Sequence, residues 1–328
     1  MFESMDLESA YNEPVPLLSR RELAKLAVAA VPLVRASAFA TPLRAGVATE
    51  SFHELPRIPG QDNVDDLIRA LKDSGATEID LASVNTEAPS PDTGLPPPPP
   101  PGPYGGPAGG FTPAELEARN RAVRNNLRKW RLATPASHYA ELRSRFQAAG
   151  IAVFAMSFRH DEAFTDEELD ATFLHAKALG VEVISSEAFA SMPRRLAPFA
   201  EKHSMTVAFR NGPVSLETAA DLARALAFSK RFRVNLDIGN FTAANQESVA
   251  YIQEHHTDIT HLIVKDRTRN NGGNEAFGSG DTPIKPVMAL LRNKNLPIRV
   301  CVDYEYVGLG SARQEVRKCL AYVAAAAA

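Results

Sequence analysis

The sequence predicts a closed (β/α)8 (TIM) barrel built as a single domain. Three observations predict it. From Gly46 onward, short β-type runs alternate with helical segments. Eight such strand–helix units fit into about 280 residues, the size of one closed barrel, and repeated βα units imply parallel strands with right-handed crossovers. No G-x-G-x-x-G fingerprint opens the first helix, so the open doubly wound sheet lacks its usual signature. At 328 residues and 45% hydrophobic, the chain can bury a full core.

The first strand is GVATESF (46–52), followed by a helix over 64–74 and a second strand, TEIDLAS (77–83). A helix ending at Gly150 leads to IAVFAMSF (151–158). The next helix starts at Thr165, where Glu168 three residues on completes a capping box, and ends at Gly180, the residue suited to a left-handed turn. VEVISSE (181–187), a helix near 194–203, TVAFRN (206–211), a helix over 216–229 and RVNLDIGN (233–240) continue the alternation. The last units are a helix over 247–256 with THLIVKD (260–266), then one over 283–293 with IRVCVDYEY (298–306), closed by a helix from Ala312.

Two segments stand outside the barrel pattern. SRRELAK (19–25), an apolar run over 26–34 and Ala38-Phe39-Ala40 resemble a twin-arginine export signal over residues 1–40. The run is shorter than the roughly 20 residues a membrane span needs. The signal implies a mature barrel over 41–328, beginning near Thr41, exported to the periplasm and without a membrane span. A cytoplasmic chain with a chance Arg-Arg pair is the alternative. The second segment, residues 89–113, is rich in proline and glycine and follows the second strand, at the barrel mouth where active-site loops lie. It reads as a lid, a partner-binding segment or a tolerated insertion.

Charge narrows the function classes. The net charge is −3 with both signs interspersed, which excludes the basic footprint of a nucleic-acid partner. The two cysteines, Cys301 and Cys319, read as buried small hydrophobes, with a disulfide between them as the alternative.

The stretch VNLDIGNF (234–241) places Asp237 in an otherwise apolar strand. A buried carboxylate is costly unless it is paired, so it needs partners. Strand alternation supplies them: Asn235 and Asp237, His261, Ile263 and Lys265, Cys301, Asp303 and Glu305, and Ala208 and Arg210 turn inward, while their valine, leucine and phenylalanine neighbours turn to the helices. In the third strand both faces are apolar, and His160 lies just past its end, as Glu187 does for the fourth. The mouth therefore gathers Asp237, Asp303, Glu305, Arg210 and Lys265, with His160 and Glu187 as further candidates. Such a cluster can orient a polyhydroxylated ligand and tune proton transfer. A charge-balanced network that only fills the barrel end is the alternative.

At these strands the chain resembles the xylose-isomerase-like barrels of the sugar phosphate isomerase/epimerase type. The resemblance runs from about Val47 to the C-terminus, through FTDEELDATFLHAKALG, FRVNLDIGNFTAAN and HLIVKDRTRNNGGNEAFGSGDTPIKPVMALLR to VDYEY. It implies proton abstraction next to a carbonyl, with one divalent cation (Mn, Mg, Zn or Co) held by acids and histidines at the ends of strands five to eight. Asp237 and Asp303 match residual metal positions. Arg210 stands at the fifth-strand ligand position and Ile263 at the seventh-strand histidine, so a degraded metal site and no confident cofactor are expected. A rebuilt site from His160, Glu187 and Asp237 is the competing expectation. Asn240 replaces the histidine of the DIGH pattern, and His261, one inward step deeper than Ile263, reads as a core histidine. FGSGDTPIK (277–285) is either a ligand-approaching loop or a turn capping the next helix through Asp281 or Thr282.

The resulting expectation is a sugar isomerase/epimerase acting on a small carbohydrate or keto-sugar. Asp303 or Glu305 serves as acid/base and Asp237 as partner, with Arg210, Lys265, His160 and Glu187 contacting substrate, Lys265 in preference to a salt bridge with Glu305. A catalytically inactive barrel that binds a carbohydrate or a partner is the alternative. An endonuclease is excluded, because that chemistry needs several metals, many histidine ligands and a basic surface.

Overall fold

The computed structural model describes residues 45–56, 62–87, 112–213 and 215–328. The export-signal segment and most of the proline-rich insertion lie outside them. Eight parallel strands close into a barrel: β1 (Ala45–Ala48), β2 (Glu78–Ala82), β3 (Ala152–His160), β4 (Val183–Ala188), β5 (Thr206–Arg210), β6 (Phe232–Asp237), β7 (Ile259–Val264) and β8 (Arg299–Val302). Each pairs with its chain neighbours and β8 pairs with β1, so no edge is left.

The helices are α1 (Val64–Ser74), α2 (Pro113–Ala133), α3 (Ala136–Ala148), α4 (Asp166–Leu179), α5 (Met192–His203), α6 (Ala219–Leu226), α7 (Ile238–Ala243), α8 (Ser248–His255), α9 (Ile284–Asn293) and α10 (Ala312–Ala327). Thr165 and Glu168 form the capping box that starts α4, and Gly180 ends it at φ 80°. The helix expected to end at Gly150 is two helices, because Pro135 starts α3. The first strand stops at Ala48, and Thr49–Phe52 turn as a 3₁₀ helix.

Alternation separates two apolar layers. Val207, Phe209, Val234, Leu236, Leu262, Val264, Val300 and Val302 pack against the helices. Ala48, Phe154, Ala155, Val183, Ala208, Ile263 and Cys301 fill the barrel interior. Cys301 and Cys319 are both free and buried.

The third strand departs from simple alternation. Its pairing with β2 shifts by one residue, Ile79 facing Val153 and Asp80 facing Ala155. Beyond this bulge Ser157 turns inward to donate a hydrogen bond to Asp80 Oδ1, while Met156 and Phe158 join the outer layer. His160 follows Phe158 outward. Register across the other half aligns Glu187 with Arg210, Arg210 with Asn235, and Asp237 with Ile263, so Asp237 lies one inward step beyond the register partner of Arg210, toward the C-terminal mouth.

Candidate active site

Asp237 ends β6 and caps α7, its Oδ1 accepting a hydrogen bond from the Asn240 N–H at 2.8 Å. Its Oδ2 accepts from Arg210 Nε at 3.2 Å and Nη2 at 2.8 Å, and lies 3.2 Å from Lys265 Nζ. The same Arg210 Nη2 donates to Asp303 Oδ2 at 2.6 Å. Ser51, in the turn after β1, donates to Asp303 Oδ1 at 3.3 Å and accepts the Tyr304 N–H at 2.9 Å. Lys265 donates to Glu305 at 2.8 Å. Gly239 permits this packing: a Cβ there would stand 2.6 Å from Lys265 Cγ and 2.7 Å from its carbonyl oxygen.

Asp237 and Asp303 are fully buried, and both cations are nearly so. Burial opposes the charge of Arg210, but Asp237 and Asp303 outweigh it and hold the guanidinium well above its ordinary range. Lys265 is raised for the same reason: burial works against its charge and Asp237 overrides it. Burial pushes the Asp303 carboxyl up to about 6 against the pull of Arg210. Glu305, more open to solvent, also feels burial raising it, but Lys265 and Arg210 bring it down to about 2.

The structure thus brings together Asp237, Asp303, Glu305, Arg210 and Lys265. Lys265 meets protein carboxylates on both sides, including the salt bridge with Glu305. Glu187 is nearby, lining a cavity of about 550 Å³ together with Arg210, Glu50, Ser157 and Ser185. That volume is in the range of small-molecule sites. Asp237, Asp303, Glu305 and Lys265 are absent from its lining, so Arg210 is the member of the cluster that faces it.

His160 is not brought in. Its ring lies between the barrel and α4, 2.8 Å from Ser186 Oγ and 3.4 Å from Thr172 Oγ1, stacked on Phe158. Burial, helped by Arg131, pushes it down to about 3, which leaves it neutral. The one-residue bulge in β3 is the physical cause, since it sets the parity that turns His160 outward.

Sequence reasoning missed other groups. Glu50 lines the cavity from the turn after β1, and Asp80 lies in the interior, 3.3 Å from His261 Nε2. Asp80 carried the same signal as Asp237, an acid within a buried strand. His261 is fully buried between Asp80 and Thr260, a core residue. Helix α2 covers one side of the cavity and supplies Arg131, which donates to both oxygens of Glu87 at 2.6 and 3.1 Å. FGSGDTPIK wraps around Asp266, which accepts the N–H groups of Gly278, Gly280 and Thr282. Neither Asp281 nor Thr282 caps α9. Asn240 is structural: it donates to Asn211 O and accepts from Arg267.

A family model described as the xylose isomerase-like TIM barrel matches residues 110–324. The chain belongs to that family. No curated protein matches it. This xylose isomerase-like barrel is similar in structure to a sugar phosphate isomerase/epimerase from Parabacteroides distasonis, at 14% identity over 91% of this chain and 97% of that one, with a TM-score of 0.54. It is also similar to the 3-keto-D-glucoside 4-epimerase of E. coli, at 12% identity over 86% and 98%, TM-score 0.56. A probable 3-DHS dehydratase involved in petrobactin synthesis in Bacillus anthracis gives 12% identity over 85% and 98%, TM-score 0.57. At these identities the likeness establishes the fold.

The residues do not fit the family's divalent cation. Asp237 and Asp303 converge, but on a guanidinium nitrogen, and a cation placed between them would meet a permanent positive charge. Ile263 adds an apolar wall with no donor atom. With His160 turned outward, the rebuilt trio of His160, Glu187 and Asp237 does not assemble. Among the described residues no group of three or more His, Cys, Asp or Glu is placed to hold a metal. Among them also, no helix is long and apolar enough to cross a membrane.

Proposed function

We propose that the protein is a sugar isomerase/epimerase-like enzyme that moves a proton on the carbon next to a carbonyl of a carbohydrate or keto-sugar. The observation that carries this reading is Arg210. It lines the cavity while two buried aspartates fix its other face, which is the arrangement needed to stabilise an enolate oxygen without reorganisation. Asp237 and Asp303 act through it as positioning residues, and Lys265 balances Asp237 and Glu305. The names of two structural neighbours, an isomerase/epimerase and an epimerase, support the reaction class.

Charge supports an unphosphorylated substrate. Among the described residues each arginine lining the cavity already meets a carboxylate: Arg124 with Asp161, Arg131 with Glu87 and Glu168, Arg159 with Glu187, and Arg210 with Asp237 and Asp303. The twin-arginine-like segment fits the same substrate class, with the enzyme working in the periplasm, and detection of the mature chain in that fraction checks it.

The test is incubation with a panel of ketoses and keto-sugars in deuterium oxide, with deuterium wash-in beside the carbonyl read by mass spectrometry. Wild type exchanges with at least one sugar. Asp303→Asn, which loosens the hold on Arg210, drops kcat by about 100-fold or more, with KM and circular dichroism little changed. Full activity in that variant refutes the assignment. A second reading, an inactive carbohydrate- or partner-binding barrel, draws on the full engagement of Asp237 and Asp303 in ion pairs. It predicts a sugar-induced rise in Tm with no exchange.

A further inference from the structure

Five carboxylates line the cavity among the described residues: Glu50, Glu87, Asp161, Glu168 and Glu187. Four are held by arginine. Arg131 takes Glu87 at 2.6 Å, Arg128 takes Glu168 at 2.7 Å, Arg124 takes Asp161 at 3.0 Å, and the largely exposed Arg159 reaches Glu187 at 3.4 Å. Glu50 differs. Its Oε2 is shut away from solvent and has no hydrogen-bond partner among the described residues.

The backbone on either side of Glu50 is pinned. Thr49 Oγ1 donates to Asn85 at 2.6 Å and accepts the Ala82 N–H at 2.8 Å, which ties it to β2. Ser51 ties the other side to Asp303 and Tyr304. A carboxyl on so fixed a backbone, with one oxygen unengaged, is costly as a structural device, because an unsatisfied buried acceptor destabilises the fold.

We propose that Glu50 is a catalytic residue of this cavity, the acid that protonates the substrate carbonyl oxygen while a second lining carboxylate removes the proton from the neighbouring carbon. The inference rests on the isomerase/epimerase reading and deepens it. Glu187, the lining acid with the longest hold on its arginine, supplies the base. Its oxygen takes the C–H proton, the C–H electron pair becomes the new C=C bond, the carbonyl π pair takes the Glu50 proton as O–H, and Glu50 is left as carboxylate. The product is an enediol. Return of a proton to carbon with re-formation of a C=O restores both side chains.

The groups around Glu50 agree with this role. Burial raises its carboxyl to about 8; Arg210 on β5 pulls it down, while Asp80 on β2 and Asp303 after β8 push it up. Glu50 thus holds a proton at neutral pH.

The test uses the full-length protein with Glu50→Gln and Glu50→Asp. Infrared spectra at pH 7 show a protonated-carboxyl band in wild type that Glu50→Gln lacks. With any sugar that wild type exchanges, Glu50→Gln loses deuterium wash-in by about 100-fold or more while sugar affinity, read by thermal shift, changes less than about threefold. Glu50→Asp folds, keeps the carboxyl and retains a fraction of the rate. Wild-type exchange preserved in Glu50→Gln, or no Glu50 band, overturns the assignment of Glu50 alone. Absence of exchange in wild type across the panel overturns the isomerase reading, and this role with it.

Discussion

Strands β5 to β8 and strands β1 to β4 bring different electrostatics to one barrel mouth. On the first side Arg210, Asp237, Lys265 and Asp303 are buried and mutually bonded, with two cations among three nearby acids. On the second side, among the described residues, one oxygen of Glu50 has no hydrogen-bond partner, and the ion-pair partner of Glu187 is the solvent-exposed Arg159. The difference teaches where rigidity and chemistry reside. Buried charges that satisfy one another form a platform that resists rearrangement, whereas a carboxyl outside such a network can take up and release a proton without breaking an ion pair. Arg210 joins the two, facing the cavity while anchored to the platform.

Removing Arg210 is the severest way to break this contrast. Arg210→Met leaves Asp237 and Asp303 buried without their shared partner, and the fold loses about 3–5 kcal/mol, read by urea denaturation. Exchange activity disappears with it. Lys265→Met comes next, at about 2–3 kcal/mol, because Arg210 still holds Asp237 and Glu305 is open enough to be solvated. Equal losses for the two variants would break the hierarchy that places Arg210 at the centre.

Much of the platform was legible in the sequence. Alternation in β5 to β8 is clean, with valine, leucine and phenylalanine on one face, so Arg210, Asp237, Lys265 and Asp303 could be turned inward from the residues alone. The other half was harder to read. In β3 both faces are apolar, and a one-residue bulge, invisible in composition, decided the orientation of His160. Glu50 was hidden differently: GVATESF reads as an unbroken strand, yet the strand stops at Ala48, and the turn that follows carries the acid to the mouth. Helix α2 contributes Arg131 through tertiary docking over the barrel, which strand periodicity does not report.

Stability against pH sharpens the comparison from the other side. Folded Glu50 keeps its proton up to about pH 8, while in the unfolded chain it releases it near its ordinary 4.5. The folded state therefore binds more protons between these values. The stability linked to this group is complete below about pH 4.5 and is lost as pH rises through about 8. Asp303, raised to about 6, adds a loss in the same direction at lower pH. Glu50→Gln removes the upper part of the decline and leaves the lower. Between pH 6.5 and 9 the variant is flatter than wild type by on the order of 1–3 kcal/mol, measured by urea denaturation at each pH.

The smallest effect belongs to Arg159. Its side chain is 81% exposed, and its contact with Glu187 is long at 3.4 Å. Solvent screens such a pair, and ordering two long side chains offsets what attraction remains. Arg159→Ala therefore changes stability by less than about 0.5 kcal/mol, in contrast to the loss at Arg210. Tm stays constant, read by thermal denaturation. A drop in Tm of several degrees would show that the β1 to β4 side is as tightly bound as the platform, and the division between scaffold and reacting groups would have to be redrawn.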